Sequence, residues 1–164
     1  MLYDSVRGAG SGKALSSDQT AAEGSAGDGA TYGYMNSFDR DGFTVVRGSD
    51  ATSLTNGSGQ NYVAWCWKAG GNSNTFNIDD VGYATASAAG LTAGTITPTG
   101  ASVNTKSGFS IITYTGTGSA ATISHGLGNI PQFMIFKQRD GTNSWAVYHS
   151  STGNTKYLTL ETTQ

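Results

Sequence analysis

Asp39-Arg40-Asp41-Gly42 sets two carboxylates two residues apart in a turn-forming context, a fragment of a calcium-loop pattern. Asp39 and Asp41 are therefore the candidate calcium ligands, with loop carbonyls to fill the shell, and calcium is the one cofactor to consider. The pattern lacks its later ligands, including the distal Glu, so the plainer reading is a turn ahead of a strand at Phe43. A second chemistry is sugar stacking, because aromatic faces make platforms for pyranose rings. Trp145 stands close to Asn143 and Tyr148 and just after the Gly141-Thr142-Asn143 turn, so these three are the candidate carbohydrate contacts. Trp65 and Trp67 would share one face of a strand and are assigned to the core, with Cys66 between them as a buried small hydrophobe.

Other constellations are weaker. Gly8-Ala9-Gly10-Ser11-Gly12-Lys13 is not a phosphate loop, since Arg7 stands at its first glycine position and Ala14 follows the lysine. Two histidines and one cysteine do not make a conventional zinc site. His125 precedes a Gly-Leu-Gly turn that its ring is expected to brace, and neither His125 nor His149 has a nucleophile elbow to serve. A glycan-cleaving site would need two carboxylates at a set separation, and Asp80, Asp140 and Glu161 fall in no paired motif. No residue is assigned a catalytic role, and the chain is read as non-enzymatic.

The elements that would position these side chains are strands. Glycine is abundant at 24 residues, proline is rare at 2, and only 12% of residues are charged. Serine and threonine make up about a quarter of the chain. That composition suits β structure with tight turns. A net charge of −2 gives no electrostatic footprint for nucleic acid or an anionic membrane. No apolar run is long enough for a transmembrane helix, and the first twenty residues have no signal-peptide pattern.

Strands are expected at 43–46, 60–68, 109–115, 121–124, 132–137, 145–149 and 156–162, most bounded by Gly, Asn or Asp. The 60–68 segment, Gln-Asn-Tyr-Val-Ala-Trp-Cys-Trp-Lys, alternates bulky and small groups as a central strand would. Residues 69–107 hold few large apolar side chains and read as a connector. Within it, Asp79 or Asp80 would cap one short helix near 79–89 that Gly90 stops. The organisation is thus 1–68, a connector at 69–107, and 108–164.

The two ends echo each other. Leu2-Tyr3-Asp4-Ser5, then Lys13-Ala14-Leu15-Ser16-Ser17, matches Val147-Tyr148-His149-Ser150, then Lys156-Tyr157-Leu158-Thr159-Leu160. Tyr3 and Tyr148 would mark the same place in successive modules, with 1–68 the C-terminal half of one module and 108–164 the N-terminal half of the same or the next.

Six motifs carry a family resemblance: Tyr-Asp-Ser-Val-Arg-Gly (3–8), Ser-Phe-Asp-Arg-Asp-Gly-Phe (37–43), Tyr-Val-Ala-Trp-Cys-Trp-Lys-Ala-Gly-Gly (62–71), Gly-Phe-Ser-Ile-Ile-Thr-Tyr-Thr-Gly-Thr-Gly (108–118), His-Gly-Leu-Gly-Asn-Ile-Pro (125–131) and Trp-Ala-Val-Tyr-His (145–149). Together they resemble a module repeated in the virion proteins of marine bacteriophages, typically tail-fibre proteins. The resemblance implies an all-β antiparallel sandwich of jelly-roll or concanavalin-like form and supplies no catalytic residues. It also implies a virion or extracellular location and a structural or adhesive role in host attachment. The partners would be other copies of the chain or adjacent fibre modules, together with host surface glycans, without nucleic acid or membrane insertion. The alternatives are a self-assembling filament or capsid-decoration subunit that completes its sandwich with a neighbour, and a glycan-cleaving sandwich enzyme.

Overall fold

A computed structural model of the chain describes residues 1–25, 29–51 and 53–162. The fold is all-β, as the composition predicts. Nine strands among the described residues accompany one 3-10 turn at Ser11–Lys13 and one helical turn, α1, at Gly29–Tyr32. The strands are β1 Tyr34–Asp39, β2 Gly42–Val46, β3 Phe76–Ile78, β4 Val81–Tyr83, β5 Gly100–Asn104, β6 Phe109–Thr113, β7 Phe133–Phe136, β8 Ala146–His149 and β9 Leu158–Thr159. They form three sheets, ordered β1-β2, β4-β3-β5-β6 and β7-β8-β9. Neighbouring strands run antiparallel except for the parallel pair β3–β5.

The chain divides into two compact units. One comprises Met1–Asp4, Gly8–Ala64 and Gln132–Gln164; the other comprises Ser5–Arg7 and Trp65–Pro131. The first therefore joins residues from both ends of the sequence, and the second holds the four-stranded sheet.

That sheet is built around β5, every residue of which is buried. Ala101 and Val103 lie on one face, over Ala86 and Leu91, with Phe76, Ile78, Ile112 and Leu127 at the margin. Ser102 and Asn104 lie on the other face, as strand alternation requires. Ser102 Oγ donates to Asn77 Oδ1 at 2.7 Å and accepts from the Gly70 N–H at 2.9 Å. Asn104 Nδ2 reaches the carbonyls of Lys68 and Ala69. The strap at 68–70 lies so close that a Cβ on Gly70 would fall 1.9 Å from Asn77 Oδ1. A strand pressed on both faces at that range has room only for small side chains. The small residues of Gly100–Asn104 thus form the fully buried strand of this sheet, and the expected connector at 69–107 carries β3, β4 and β5.

Asp79 and Asp80 do not cap a helix. They form the two-residue turn between β3 and β4, with φ of 49° and 72°. Positive φ at both central positions defines a type I′ turn, whose twist matches that of the flanking strands. The capping falls to Thr85, whose Oγ1 accepts from the Ala88 N–H at 3.0 Å. A single turn follows. It closes with Leu91 N–H donating to Ala86 O and Gly90 at φ 69°, so Gly90 is a stop, but to one turn instead of a helix.

The 60–68 segment is not a strand. None of its residues joins a ladder, and all are exposed. Tyr62 is drawn to a loop, its hydroxyl donating to Ser53 O and accepting from the Gly57 N–H. The central position expected for this segment belongs to β5, where no indole would fit. Trp65 and Trp67 are 74% and 64% exposed, and Cys66 is an exposed free thiol.

Candidate functional site

In the first unit the sequence echo is also an echo of pairing. Leu2 and Leu15 form an antiparallel bridge, and their counterparts Val147 and Leu158 pair antiparallel in β8–β9. Matched through the pair Leu15 and Leu158, the tails agree as well: Ser16-Ser17-Asp18-Gln19 answers Thr159-Leu160-Glu161-Thr162. A similar antiparallel closure thus occurs twice, as an isolated bridge in the first hairpin and as part of the β8–β9 ladder in the second.

The first hairpin is gripped by residues between β7 and β8. Trp145 Nε1 donates to Ser16 O at 3.1 Å and Gln19 O at 3.0 Å. Lys137 shares its three ammonium protons among four carbonyls, those of Thr20, Gln138, Gly141 and Asn143, at 2.9–3.1 Å. Burial pushes the Lys137 ammonium below its ordinary 10.5, and Glu161 opposes the shift. The Glu23 N–H donates to Arg139 O, and the Glu23 carboxylate pairs with the Arg139 guanidinium, raising the latter's pKa. Trp145 also belongs to the second hairpin through its backbone: its carbonyl accepts from the Leu160 N–H, and its N–H donates to Glu161 Oε2. One residue thus extends one hairpin and hooks the tail of the other.

This placement removes Trp145 from the expected sugar site. It is 3% exposed, with its N–H engaged and no face open to a ring. Asn143 is exposed, its amide donating to Gln138, and Tyr148 falls on the opposite side of β8 from position 145 by strand alternation. The three residues do not converge.

Asp39 accepts from the Ser37 and Thr44 hydroxyls, one on each carboxylate oxygen, which ties the β1–β2 hairpin together. Asp41 sits in the turn beyond it. Among the described residues no three of His, Cys, Asp or Glu converge as metal ligands. His125 braces its loop, Nδ1 accepting from the Leu127 N–H, and His149 does the same with Ser151.

In the second unit the open feature is aromatic. Trp67 stacks on Phe109, the first residue of β6, with ring centroids 6.4 Å apart and planes 25° from parallel. Beside it Lys68, Asp79, Asp80, Asn104, Lys106 and Ser107 line an open depression. Its groups are engaged with one another: Lys68 pairs with Asp80 at 2.9 Å, and Asp79 accepts from the Thr105 N–H and hydroxyl. The Thr105 hydroxyl, then its N–H, hold Asp79 below its ordinary 3.8.

A family model described as a domain of unknown function, DUF7483, matches residues 1–164. The chain belongs to that family. No curated protein and no solved structure matches it. For this DUF7483 domain, then, the candidate surfaces are the exposed tryptophans of the second unit and the doubled hairpin of the first. The alternation of Trp65 and Trp67 was visible in the sequence, but nothing there showed that the segment lacks a ladder. The doubled hairpin was signalled by the echo.

Proposed function

We propose that this domain is a non-enzymatic structural and adhesive module of a phage virion, part of a tail fibre, in which the tryptophans of the second unit contact host glycans. The exposure of Trp65 and Trp67 carries this reading. An indole left in water has apolar surface to bury, and Phe109 fixes the ring of Trp67 from one side, as a stacking platform requires. The six motifs that resemble fibre modules, the low charge and the repeated hairpin support a role in holding shape beside like modules.

A glycan array with the purified domain, with and without calcium, tests the adhesive part. Binding that is lost in Trp65→Ala and Trp67→Ala, with the far-ultraviolet spectrum unchanged, is the expected result. A blank array under both conditions would remove adhesion and leave a structural spacer.

A further inference from the structure

Lys137 directly follows β7 and places its ammonium between four backbone carbonyls. Gln138 O lies at 2.9 Å, Thr20 O and Asn143 O at 3.0 Å, and Gly141 O at 3.1 Å. An ammonium has three protons and cannot point one at each of four oxygens. Four oxygens at nearly one distance surround a centre of charge, as the ligands of a bound ion do. The Glu161 carboxylate adds its field to the same centre.

Three of the four carbonyls belong to one loop, and that loop is held by its own side chains. Gln138 Nε2 donates to Asp140 Oδ1 at 3.0 Å, and Gln138 Oε1 accepts from Asn143 Nδ2. Gly141 lies so close that a Cβ there would fall 2.6 Å from Gln138 Nε2. The oxygens are thus set in place without help from the lysine. The fourth, Thr20 O, comes from the tail of the first hairpin, so the cation among them ties that tail to the loop. Their distances of 2.9–3.1 Å exceed the about 2.3–2.6 Å of calcium–oxygen bonds, and all four ligands are neutral. Both features suit a large monovalent cation.

We propose that the carbonyls of Thr20, Gln138, Gly141 and Asn143 form a binding site for a monovalent cation of ammonium type, which the chain fills with its own Lys137. The side chain acts as a tethered ion: its charge holds the first tail, and its stem removes the need for a dissolved one. The inference does not depend on glycan contact.

Thermal melts of the full chain in ammonium chloride and in tetramethylammonium chloride, at equal ionic strength, test it. Tetramethylammonium carries the same charge but is bulky and has no N–H to donate. The native chain should melt alike in both salts. Lys137→Ala should melt lower in tetramethylammonium chloride and recover part of the difference in ammonium chloride. That recovery should grow with the logarithm of ammonium concentration, as binding to the folded chain requires. Lys137→Met keeps most of the apolar stem and should recover in the same way, which covers the case of an alanine variant that does not fold. Variants as stable as the native chain, variants lowered equally in the two salts, or a native chain that gains as much from ammonium as they do would overturn the proposal. So would two variants that fold in neither salt.

Discussion

Trp145 and Gln19 are 126 residues apart, yet the indole N–H of the first donates to the carbonyl of the second at 3.0 Å. With the Ser16 carbonyl sharing the same donor, this contact fastens the first hairpin to the sheet that carries the second. Removing the N–H while keeping most of the ring should cost stability out of proportion to the change. Trp145→Phe leaves the buried Ser16 carbonyl and the more open Gln19 carbonyl without their shared donor, and a loss of about 1–3 kcal/mol is expected. Urea denaturation followed by circular dichroism measures it.

Ser102 is the corresponding point in the second unit. Ser102→Ala removes both the donor to Asn77 and the acceptor for the Gly70 N–H at a fully buried position. A destabilisation of about 1–3 kcal/mol should follow. Gly70→Ala should be worse, because its new methyl would meet the Asn77 amide. Denaturation curves of the two variants give the order directly.

The three tryptophans should separate spectroscopically. Trp145 is enclosed, while Trp65 and Trp67 face solvent. Fluorescence of the native chain should be dominated by red-shifted, readily quenched emission. In Trp65→Phe/Trp67→Phe the remaining emission should move to the blue and resist acrylamide. Emission from the double variant as quenchable as that of the native chain would mean that Trp145 is open.

Much of this is legible in the residues; the rest turns on burial and on pairing partners distant in sequence. The strands expected at 43–46, 109–115, 132–137 and 145–149 announce themselves by apolar runs between turn residues, and β2, β6, β7 and β8 lie there, whereas 121–124 holds only the isolated bridge of Ile123. β5 was missed because Gly-Ala-Ser-Val-Asn looks like loop composition, yet those are the side chains a strand covered on both faces can hold. The 60–68 segment was overread for the opposite reason: alternation shows that a strand would be amphipathic, not that a partner exists to pair with it. Asp79 and Asp80 suit a helix cap and a type I′ turn equally well, and only register with β3 and β4 decides between them. Trp145 looked like a surface residue because of the turn before it; its partners at Ser16 and Gln19 lie too far away in sequence to be anticipated.

Two carboxylates should give the fold an acid-sensitive edge. Asp79 is held below 3.8 chiefly by the Thr105 hydroxyl, and Glu161 below its ordinary 4.5 chiefly by the Ser144 hydroxyl. A carboxyl with a depressed folded pKa binds its proton more readily in the unfolded chain. Its contribution is therefore complete above the unfolded value and is lost as pH falls through the folded one. The melting temperature should hold from about pH 7 to about pH 5 and fall below about pH 4. Thr105→Val and Ser144→Ala should each flatten that fall; melts unchanged in slope would show that other groups set it.

Closure of the chain on itself through Trp145 is what joins the first hairpin to the sheet that carries the second. Hydrogen exchange of the indole N–H groups, read by NMR on a nitrogen-15-labelled chain, measures it most directly. The Trp145 indole proton should exchange far more slowly than those of Trp65 and Trp67 and show cross-relaxation to protons of Ser16 and Gln19. Exchange of Trp145 as fast as the other two, with no such cross-peaks, would contradict the account.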